Sequence, residues 1–444
     1  MKTGLENTKD SSSTEGATKY SNAYVAFVVI LAWAGWSLAA MDFNIMSSTL
    51  PLTAKDLNFP VSEVTELLTI IFVGMFIVLI LFGPLFDKYG RRKAFQLTLI
   101  LAAITTGLTA LATNFAEFAI LRAMADAFAY AESAAGLVLV NEVIGSRARG
   151  FIYSFVQAGW PTGVAIASFL SVAVVPSLGW RGVYALGVIP LVIVIIARFW
   201  VKETGRFEHL NAIKKAARSN DLGTIQKLES VYAVNVEAAQ KFTYRQLFSR
   251  DLIRKSVFIF LGDFFWSWGQ GPFQIYFTYL LVNYKGVPFE TAASILGFSG
   301  LVAVAFYILF GLIGDIIGRR EACAISIVVS SVLYLVYMTT SNISVIEVVY
   351  PLAFGIALGW NPPYYVFSAE SFPTRARGTA AAWVNAAGPV GLAIGVLQFG
   401  VYLTIGYPLF WGLVFSALIP TILSLTILGA PRVKPKMELE QIAV

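Results

Sequence analysis

Twelve runs of mostly apolar residues, each roughly 20 residues or longer, follow one another along this chain of 444 residues. A run of that length crosses the ~30 Å hydrocarbon core of a bilayer as an α-helix. Only 13% of the residues are charged, whereas a soluble domain carries about 25%. The sequence therefore predicts an all-α membrane protein with twelve transmembrane spans. We number them 1 to 12 and expect them at 23–50, 63–86, 94–113, 117–144, 151–175, 182–200, 256–283, 291–314, 322–340, 345–368, 379–403 and 408–429.

A charged turn between two spans occurs twice in the sequence. Residues 83–92 read GPLFDKYGRR, and residues 311–320 read GLIGDIIGRR. The matching Gly, Asp, Gly, Arg and Arg lie 228 positions apart, and a second pair of motifs, at 142–150 and 370–378, keeps this offset. Because charged positions stay in register over half of the chain, the sequence indicates two related halves.

The longest polar stretch lies between these halves. Within it, residues 207–217 and 222–234 carry apolar residues at three- and four-residue spacing, which predicts two amphipathic helices on the cytosolic side. The polar start of the chain lacks a cleavable signal pattern and is expected to be a disordered tail. The predicted division is a cytosolic tail at 1–20, a six-helix bundle at 21–200, a cytosolic linker at 201–255, a second six-helix bundle at 256–430 and a cytosolic tail at 431–444.

The positive charges of the chain fall mainly in its predicted loops. The formal net charge is +6, and with both termini in the cytoplasm all but four of the 32 Lys and Arg lie in cytoplasmic segments. The exceptions are Lys55, Arg181 and Lys285 outside and Arg122 within a span. This positive-inside bias predicts a multi-pass protein of the cell membrane with both termini in the cytoplasm. Because the basic residues lie in the loops of a membrane protein, their excess does not indicate nucleic-acid binding.

Cysteine and histidine are almost absent. Cys323 is the single cysteine, which excludes an internal disulfide, and His209 is the single histidine. A metal site of Cys and His ligands therefore has almost no material, and the sequence contains no nucleotide-binding loop or nucleophile elbow. We expect neither an enzyme nor a bound metal or cofactor.

The two pairs of motifs resemble the signatures of the major facilitator superfamily. The pattern Gly-x-x-x-Asp-x-x-Gly-Arg-Arg follows spans 2 and 8. The pattern Glu-x-x-x-x-x-x-Arg-Gly follows spans 4 and 10. The resemblance covers essentially the whole membrane region. It implies two pseudo-symmetric six-helix bundles, a central cavity at the bilayer midplane and alternating access by rocking of the halves.

The same resemblance implies a gate at the cytosolic face. A carboxylate at the end of span 2 can accept hydrogen bonds from a helix N-terminus of the other half. Glu203, in the segment KETGR, resembles the acid of a Pro-Glu-Ser-Pro-Arg motif that joins this cluster. The expected gate residues are Gly83, Asp87, Arg91, Arg92, Glu142, Arg149 and Glu203, mirrored in the second half by Asp315, Arg319, Glu370 and Arg377.

Charged residues inside the spans point to ion coupling. Arg122 in span 4 is the only cation at that depth, and it needs an acidic partner because its guanidinium does not deprotonate. Asp42 in span 1 and Arg122 stand where sugar porters and related metabolite–proton symporters carry a proton-coupling pair. Asp126 lies one turn after Arg122 and could pair with it locally. The alternative is a static ion pair that holds spans 1 and 4 together.

Two further acids lie within the spans. Glu132 has the spacing from Arg122 of the acid in the sugar-porter pattern of span 4, although Asp126 and Tyr130 replace the two glycines of that pattern. The expected proton-coupling residues are therefore Asp42, Arg122, Asp126 and Glu132. Asp263, in span 7, is expected nearer the cytosolic face among loop cations.

Amides and aromatic residues in spans 5, 7, 10 and 11 form the expected substrate site. Gln157 resembles the sugar-contacting Gln of sugar porters, whereas span 7 lacks their paired Gln and following Asn. Tyr365 takes the position of a Trp after the Gly/Pro break of span 10. Such residues suit a small ligand with hydroxyl or amide groups. The expected contacts are Gln157, Gln270, Gln274, Trp268, Trp360, Asn361, Tyr365 and Asn385.

The pattern favours a proton-coupled symporter of a small neutral polar metabolite, including sugar-like molecules, that works as a monomer. The competing functions are a drug–proton antiporter, an organic-acid–proton symporter and a non-transporting membrane sensor. The segment Gly159-Trp160-Pro161-Thr162-Gly163 only partly resembles the glycine-rich motif of drug exporters. The intact gate motifs argue against the sensor.

Overall fold

The computed structural model describes residues 21–89, 91–143, 149–198, 247–372, 380 and 383–432. Within these ranges the first half is built from six helices. The expected amphipathic helices of the linker and both tails lie outside the described residues, so the predicted division of the chain stays a prediction. The helices of the first half are α1 (Asn22–Asp56), α2 (Val61–Tyr89), α3 (Arg91–Thr109), α4 (Phe115–Val143), α5 (Arg149–Gln157) and α6 (Gly159–Arg198).

The second half repeats this order with more interruptions. Its helices are α7 (Ile253–Ile275), α8 (Phe277–Lys285), α9 (Phe289–Ile317), α10 (Arg319–Thr339), α11 (Ile343–Leu358), α12 (Asn361–Ser371), α13 (Ala387–Thr404), α14 (Leu409–Leu413) and α15 (Ile419–Leu423). A π-helical turn, Val414–Leu418, joins the last two, and a 3₁₀ turn, Ser424–Gly429, follows them.

The predicted spans are confirmed as helices, with ends that differ by a few residues. Span 5 consists of α5 and the first part of α6, and the non-helical backbone of Gly179 (φ 64°) separates it from span 6. Span 7 consists of α7 and α8, and span 10 of α11 and α12. Seven described stretches are long and apolar enough to cross a bilayer: Asn22–Asp56, Ile152–Ile189, Phe289–Ile317, Arg319–Thr339, Ile343–Ser368, Trp383–Thr404 and Leu409–Gly429.

Proline and glycine explain the break in span 10. Helix α11 ends at Leu358, and α12 begins at Asn361 with prolines in its first turn. Proline fits the first turn of a helix because the N–H groups there have no partner within the helix. Asn361 donates through Nδ2 to Tyr307 Oη at 2.8 Å and to the backbone oxygen of Leu358 at 3.3 Å, which ties the two segments together.

Glycines let helices pack backbone to backbone at the same place in both halves. A Cβ on Gly163 would meet the backbone of Ser37 and Met41 in α1. Its repeat partner Gly391, which is 228 positions later, packs in the same way against Phe264 in α7. Membrane helices associate through small residues because lipid supplies no hydrophobic drive between them. These contacts fix α6 on α1 and α13 on α7.

The two halves pack together along two seams. In the first, Gly300 of α9 lies against the backbone of Pro161 and Ala165 in α6. In the second, Gly400 of α13 lies against Thr65 near the start of α2. The resemblance to transporters predicts a substrate cavity between the halves, among spans 1, 4, 7 and 10.

Candidate functional site

A fully buried cluster of one cation and two acids lies inside the first half. Arg122 of α4 donates through Nη1 to Asp42 Oδ1 at 3.2 Å and through Nη2 to the backbone oxygen of Asp42 at 3.0 Å. Its Nη2 also bonds Asp126 Oδ1, one helical turn along α4. All three side chains have no solvent exposure. The structure thus brings together the first three of the four expected coupling residues, whereas the side chain of Glu132 lies outside the described residues.

Two neighbours complete the surroundings of this cluster. Thr106 of α3 donates its hydroxyl to Asp42 Oδ1 at 2.8 Å. The ring of Tyr184 in α6 lies 5.2 Å from the guanidinium carbon, which is within cation–π distance. Asp42 Oδ2, Asp126 Oδ2 and Arg122 Nε have no hydrogen-bond partner among the described residues. Four helices thus meet at this cluster, and each carboxylate has one oxygen without a described partner.

The second half holds a neutral counterpart of this cluster. Gln270, Tyr334 and Tyr350 lie 228 positions after Asp42, Thr106 and Arg122. Tyr334 donates its hydroxyl to Gln270 Oε1 at 3.1 Å, as Thr106 does to Asp42. Tyr350 donates to the backbone oxygen of Phe273 at 2.8 Å, where Arg122 reaches a backbone oxygen of α1. The second half thus has hydrogen bonds at the positions that correspond to the cluster, and its residues there are neutral.

The structure distributes the eight expected substrate residues over several places. Gln157 and Gln270 are buried, and Gln157 Oε1 and Gln270 Nε2 have no partner among the described residues. Trp268 donates to Gln398 Oε1 at 2.8 Å, within the second half. Trp360 is fully buried, and its ring stacks on Tyr364 with centroids 5.4 Å apart.

Three further members of that set lie in different surroundings. The ring centroid of Tyr365 lies 6.5 Å from that of Tyr153, across the two halves. The side-chain amide of Asn361 donates to Tyr307 and Leu358 at the helix break described above. Asn385 is exposed. As substrate contacts all eight stay predictions.

Hydrogen bonds join the halves at one end of the bundle, which we call the Ser47 end. Ser47 of α1 donates its hydroxyl to the backbone oxygen of Ile275 at 3.1 Å. Gln274 donates through Nε2 to Asn44 Oδ1 at 3.3 Å. The hydroxyls of Thr65 and Tyr276 lie 3.4 Å apart. The structure therefore places Gln274 in a contact between the halves. Its partner Asn44 lies two residues after Asp42 on α1.

The second copy of the repeated turn forms a charged cluster where α9 ends and α10 begins. Arg319 bonds Asp315, one turn before it, and its Nε lies 3.7 Å from Glu370 Oε2. Arg320 donates through Nη1 to the backbone oxygen of Leu428 at 2.9 Å. The side chains of Asp87, Arg91, Arg92, Glu142 and Arg149, and the whole of Glu203 and Arg377, lie outside the described residues, so the gate stays a prediction.

Asp263 is buried in the second half, with 4% of its surface exposed. Its neighbours include Trp360 and Gly388. A Cβ added to Gly388 would stand 3.5 Å from Asp263 Oδ2. Within the described part of the chain no ion pair reaches Asp263. The expected loop cations are therefore not among its described neighbours.

Sequence reasoning missed the polar residues that support the cluster and the contacts between the halves. Thr106, Tyr184, Asn44 and Ser47 carry no motif of their own. For Thr106 a signal existed, since its repeat partner Tyr334 is also a hydroxyl residue in the corresponding span. Serine and threonine in membrane helices usually bond their own helix, so sequence alone did not single out these positions.

Comparison with known proteins places the chain in a family. A family model of the Major Facilitator Superfamily matches residues 32–396. A putative metabolite transport protein of Haemophilus influenzae is 26% identical over 379 residues, which cover 85% of this chain and 88% of that protein. The cis,cis-muconate transport protein of Acinetobacter baylyi is 24% identical, covering 81% of this chain and 83% of that one.

Further relatives and solved structures agree with this placement. A putative niacin/nicotinamide transporter of Bacillus subtilis is 24% identical and covers 83% of this chain and 86% of its own length. The crystal structure of a D-xylose–proton symporter has the same fold, with a TM-score of 0.69 at 17% identity over 94% of this chain and 100% of that one. The chain belongs to the Major Facilitator Superfamily and is a multi-pass membrane transporter, not an enzyme.

Proposed function

We propose that the chain is a proton-coupled symporter that imports a small neutral polar metabolite by alternating access. The observation that carries the proposal is the fully buried pair of Asp42 and Arg122, which joins α1 to α4. A carboxylate next to a guanidinium favours its charged form, whereas one released into an apolar site favours the protonated form. A movement that separates the two helices therefore changes how tightly Asp42 holds a proton.

The position of the pair supports a link to the movement of the halves. Asn44 lies two residues after Asp42 on α1 and accepts the amide of Gln274 from the other half. If the positive-inside bias gives the orientation, the Ser47 end faces outward and the structure is closed on that side. Protonation of Asp42 from outside, followed by closure of the Ser47 end and release to the cytoplasm, forms one transport cycle.

The polar groups within the spans favour a neutral solute. Gln157 Oε1 is an acceptor and Gln270 Nε2 a donor that no described residue satisfies, one in each half. Unpaired amides at this depth are costly, and a ligand with hydroxyl or amide groups would satisfy them. Both Nη atoms of Arg122 bond the carboxylates of Asp42 and Asp126, whose negative charges already balance that of the guanidinium and disfavour a bound anion.

An organic-acid–proton symporter is the second candidate. It is favoured by two relatives, whose names assign them cis,cis-muconate and niacin or nicotinamide. An acidic substrate would need a cation other than Arg122, or it would enter as the protonated acid. The drug–proton antiporter and the membrane sensor have no observation in their favour.

Proton movement in proteoliposomes tests the proposal. Purified transporter is reconstituted, and external pH is recorded while sugars, nicotinamide, nicotinate, muconate and a cationic dye are added one at a time. The proposal predicts that a neutral solute makes the external medium more alkaline as protons enter with it. Alkalinisation by acids alone would support the second candidate. Dye efflux driven by an acidic exterior would overturn symport.

A further inference from the structure

The buried cluster contains one more carboxylate than the charge of Arg122 can balance. Asp42 and Asp126 both bond the guanidinium, and none of the three side chains is exposed. The described neighbours supply no second cation: α3 contributes the hydroxyl of Thr106, and α6 contributes the ring of Tyr184. Helix α2 faces α4 through Gly74, which packs on Ala123.

A net negative charge in this position is unfavourable. With both carboxylates ionised, the cluster would hold one uncompensated charge away from water, at a cost of several kcal/mol. A single proton removes that charge. Asp42 Oδ2 and Asp126 Oδ2 have no hydrogen-bond partner in the described part of the chain, so each carboxylate has an oxygen that can carry a proton.

We propose that Asp42 and Asp126 share one exchangeable proton, and that Asp126 pairs with Arg122 whenever Asp42 carries it. The proton arrives from the outer solution and forms an O–H bond on Asp42, which then loses its charge pairing with Arg122 Nη1. Arg122 keeps its own protons and its bond to Asp126. A hydronium ion outside supplies the proton, water on the cytoplasmic side later accepts it, and no other covalent bond of the protein forms or breaks.

This role explains why a second acid stands on α4. In a cluster of Asp42 and Arg122 alone, protonation of the acid would leave a buried guanidinium without a counter-ion, and that penalty would oppose proton binding. Asp126 removes the penalty because its Oδ1 already bonds Nη2. The proposal rests on the proposed proton coupling and names the residue that makes it possible; Asp126 is a positioning residue for the proton on Asp42.

The pH profile of accumulation is the first test. In Asp126→Asn, the remaining pair of Asp42 and Arg122 is charge-balanced without a bound proton. The profile of proton-driven accumulation should then shift by about one to three pH units toward acid. Solute counterflow, which needs no net proton movement, should continue. Asp126→Glu should restore the profile, and Asp56→Asn, an acid at the end of α1 outside the cluster, should leave it unchanged.

Two outcomes of that experiment would overturn the proposal. One is an unchanged pH profile in Asp126→Asn. The other is an equal loss of accumulation and counterflow that Asp126→Glu does not rescue, which would assign Asp126 a structural role only.

Infrared spectroscopy of the purified protein is the second test and needs no transport. A shared proton predicts a carbonyl band of a buried carboxylic acid at neutral pH that both Asp42→Asn and Asp126→Asn remove. The double variant should lose no more of the band than either single variant. A band that persists in Asp126→Asn would contradict sharing. Because this readout is independent of transport, failure of the proposed function and failure of this inference are distinguishable.

Discussion

Arg122 shows how a membrane protein handles a charge that cannot be neutralised. The guanidinium is fully buried, and every one of its described hydrogen bonds goes to Asp42 or Asp126. Removing one partner of a buried ion pair costs more than removing all of it, because the survivors stay buried without compensation. Stability measurements on this cluster can therefore separate the charges from the packing of α1 on α4.

We expect Arg122→Gln to lower the free energy of unfolding by about 3–5 kcal/mol, because two carboxylates then lie buried without a cation. The triple variant that adds Asp42→Asn and Asp126→Asn should regain most of that loss. Thermal unfolding in detergent measures both.

Arg181→Gln is the matched control for this prediction. Arg181 pairs with Asp56 in a half-exposed position, and its loss should cost about 0–1 kcal/mol. A triple variant no more stable than Arg122→Gln would contradict the account.

At the residue scale the sequence predicted the charged members of the cluster but not Thr106 and Tyr184, which contact them. A lone Arg within a span requires an acid, so Asp42 and Asp126 followed from residue type and spacing. Gln270 was expected in the substrate site because it is the repeat partner of Asp42. Its role as a substrate contact stays a prediction; its Oε1 accepts a hydrogen bond from Tyr334 of its own half, as Asp42 accepts one from Thr106. Which helices surround a position decides its partners, and a single sequence does not contain that information.

Among the elements, the helix contacts depend on positions without a side chain. Gly163 and Gly391 occupy equivalent places in the two halves and each meets a neighbouring backbone. The offset of 228 residues relates these two glycines as repeat partners. Their role in helix packing could be identified only from the structure, because glycine in a sequence also occurs in turns, at helix breaks and beside ligands.

We expect Gly163→Ala and Gly391→Ala each to destabilise the protein by about 1–3 kcal/mol, since the added methyl group must displace backbone atoms of α1 or α7. The midpoint of thermal unfolding measures the effect. Gly412→Ala is the control, because its Cβ would stand 3.6 Å from the side chains of Phe399 and Tyr402. An equal loss in all three variants would show that close approach is not the cause.

The Ser47 end should open more readily when a hydrogen bond between the halves is removed. In Ser47→Ala the backbone oxygen of Ile275 loses its donor, at a cost of about 0.5–1.5 kcal/mol to the closed arrangement. Electron-spin distance measurements between labels at Lys55 and Thr404, both exposed, should gain a longer component. The native Cys323 is buried and is replaced by serine for labelling.

Ser171→Ala provides the comparison for that experiment. Its hydroxyl bonds the backbone oxygen of Ala167 within the same helix, so no contact between the halves is lost. Distances that change equally in both variants, or in neither, would show that the Ser47 bond does not hold this end closed.

For the whole molecule, the two halves are equivalent in architecture and unequal in chemistry. Repeat partners place a charged cluster in the first half and the neutral group of Gln270, Tyr334 and Tyr350 in the second. The sequence predicted twelve spans, two halves and their family, because long apolar runs and repeated charged turns permit few alternatives. It did not predict the closed Ser47 end, which depends on how one half sits against the other.

The repeated turn leads to a prediction about the opposite end of the bundle. If Asp87 holds the halves together at the cytoplasmic face, Asp87→Asn should favour the state that is open there. Labels at the exposed residues Asn22 and Arg250 should then give a larger population of long distances. A distribution identical to that of the native protein would remove Asp87 from the gate.

Uphill accumulation tests the central claim that Asp42 couples solute to protons. Proteoliposomes with an acidic exterior are supplied with the solute identified by alkalinisation, and internal and external concentrations are compared at steady state for the native protein and Asp42→Asn. The account predicts accumulation above equilibration by the native protein. Asp42→Asn should give equilibration only, with counterflow intact. Accumulation by Asp42→Asn to the native level would contradict it.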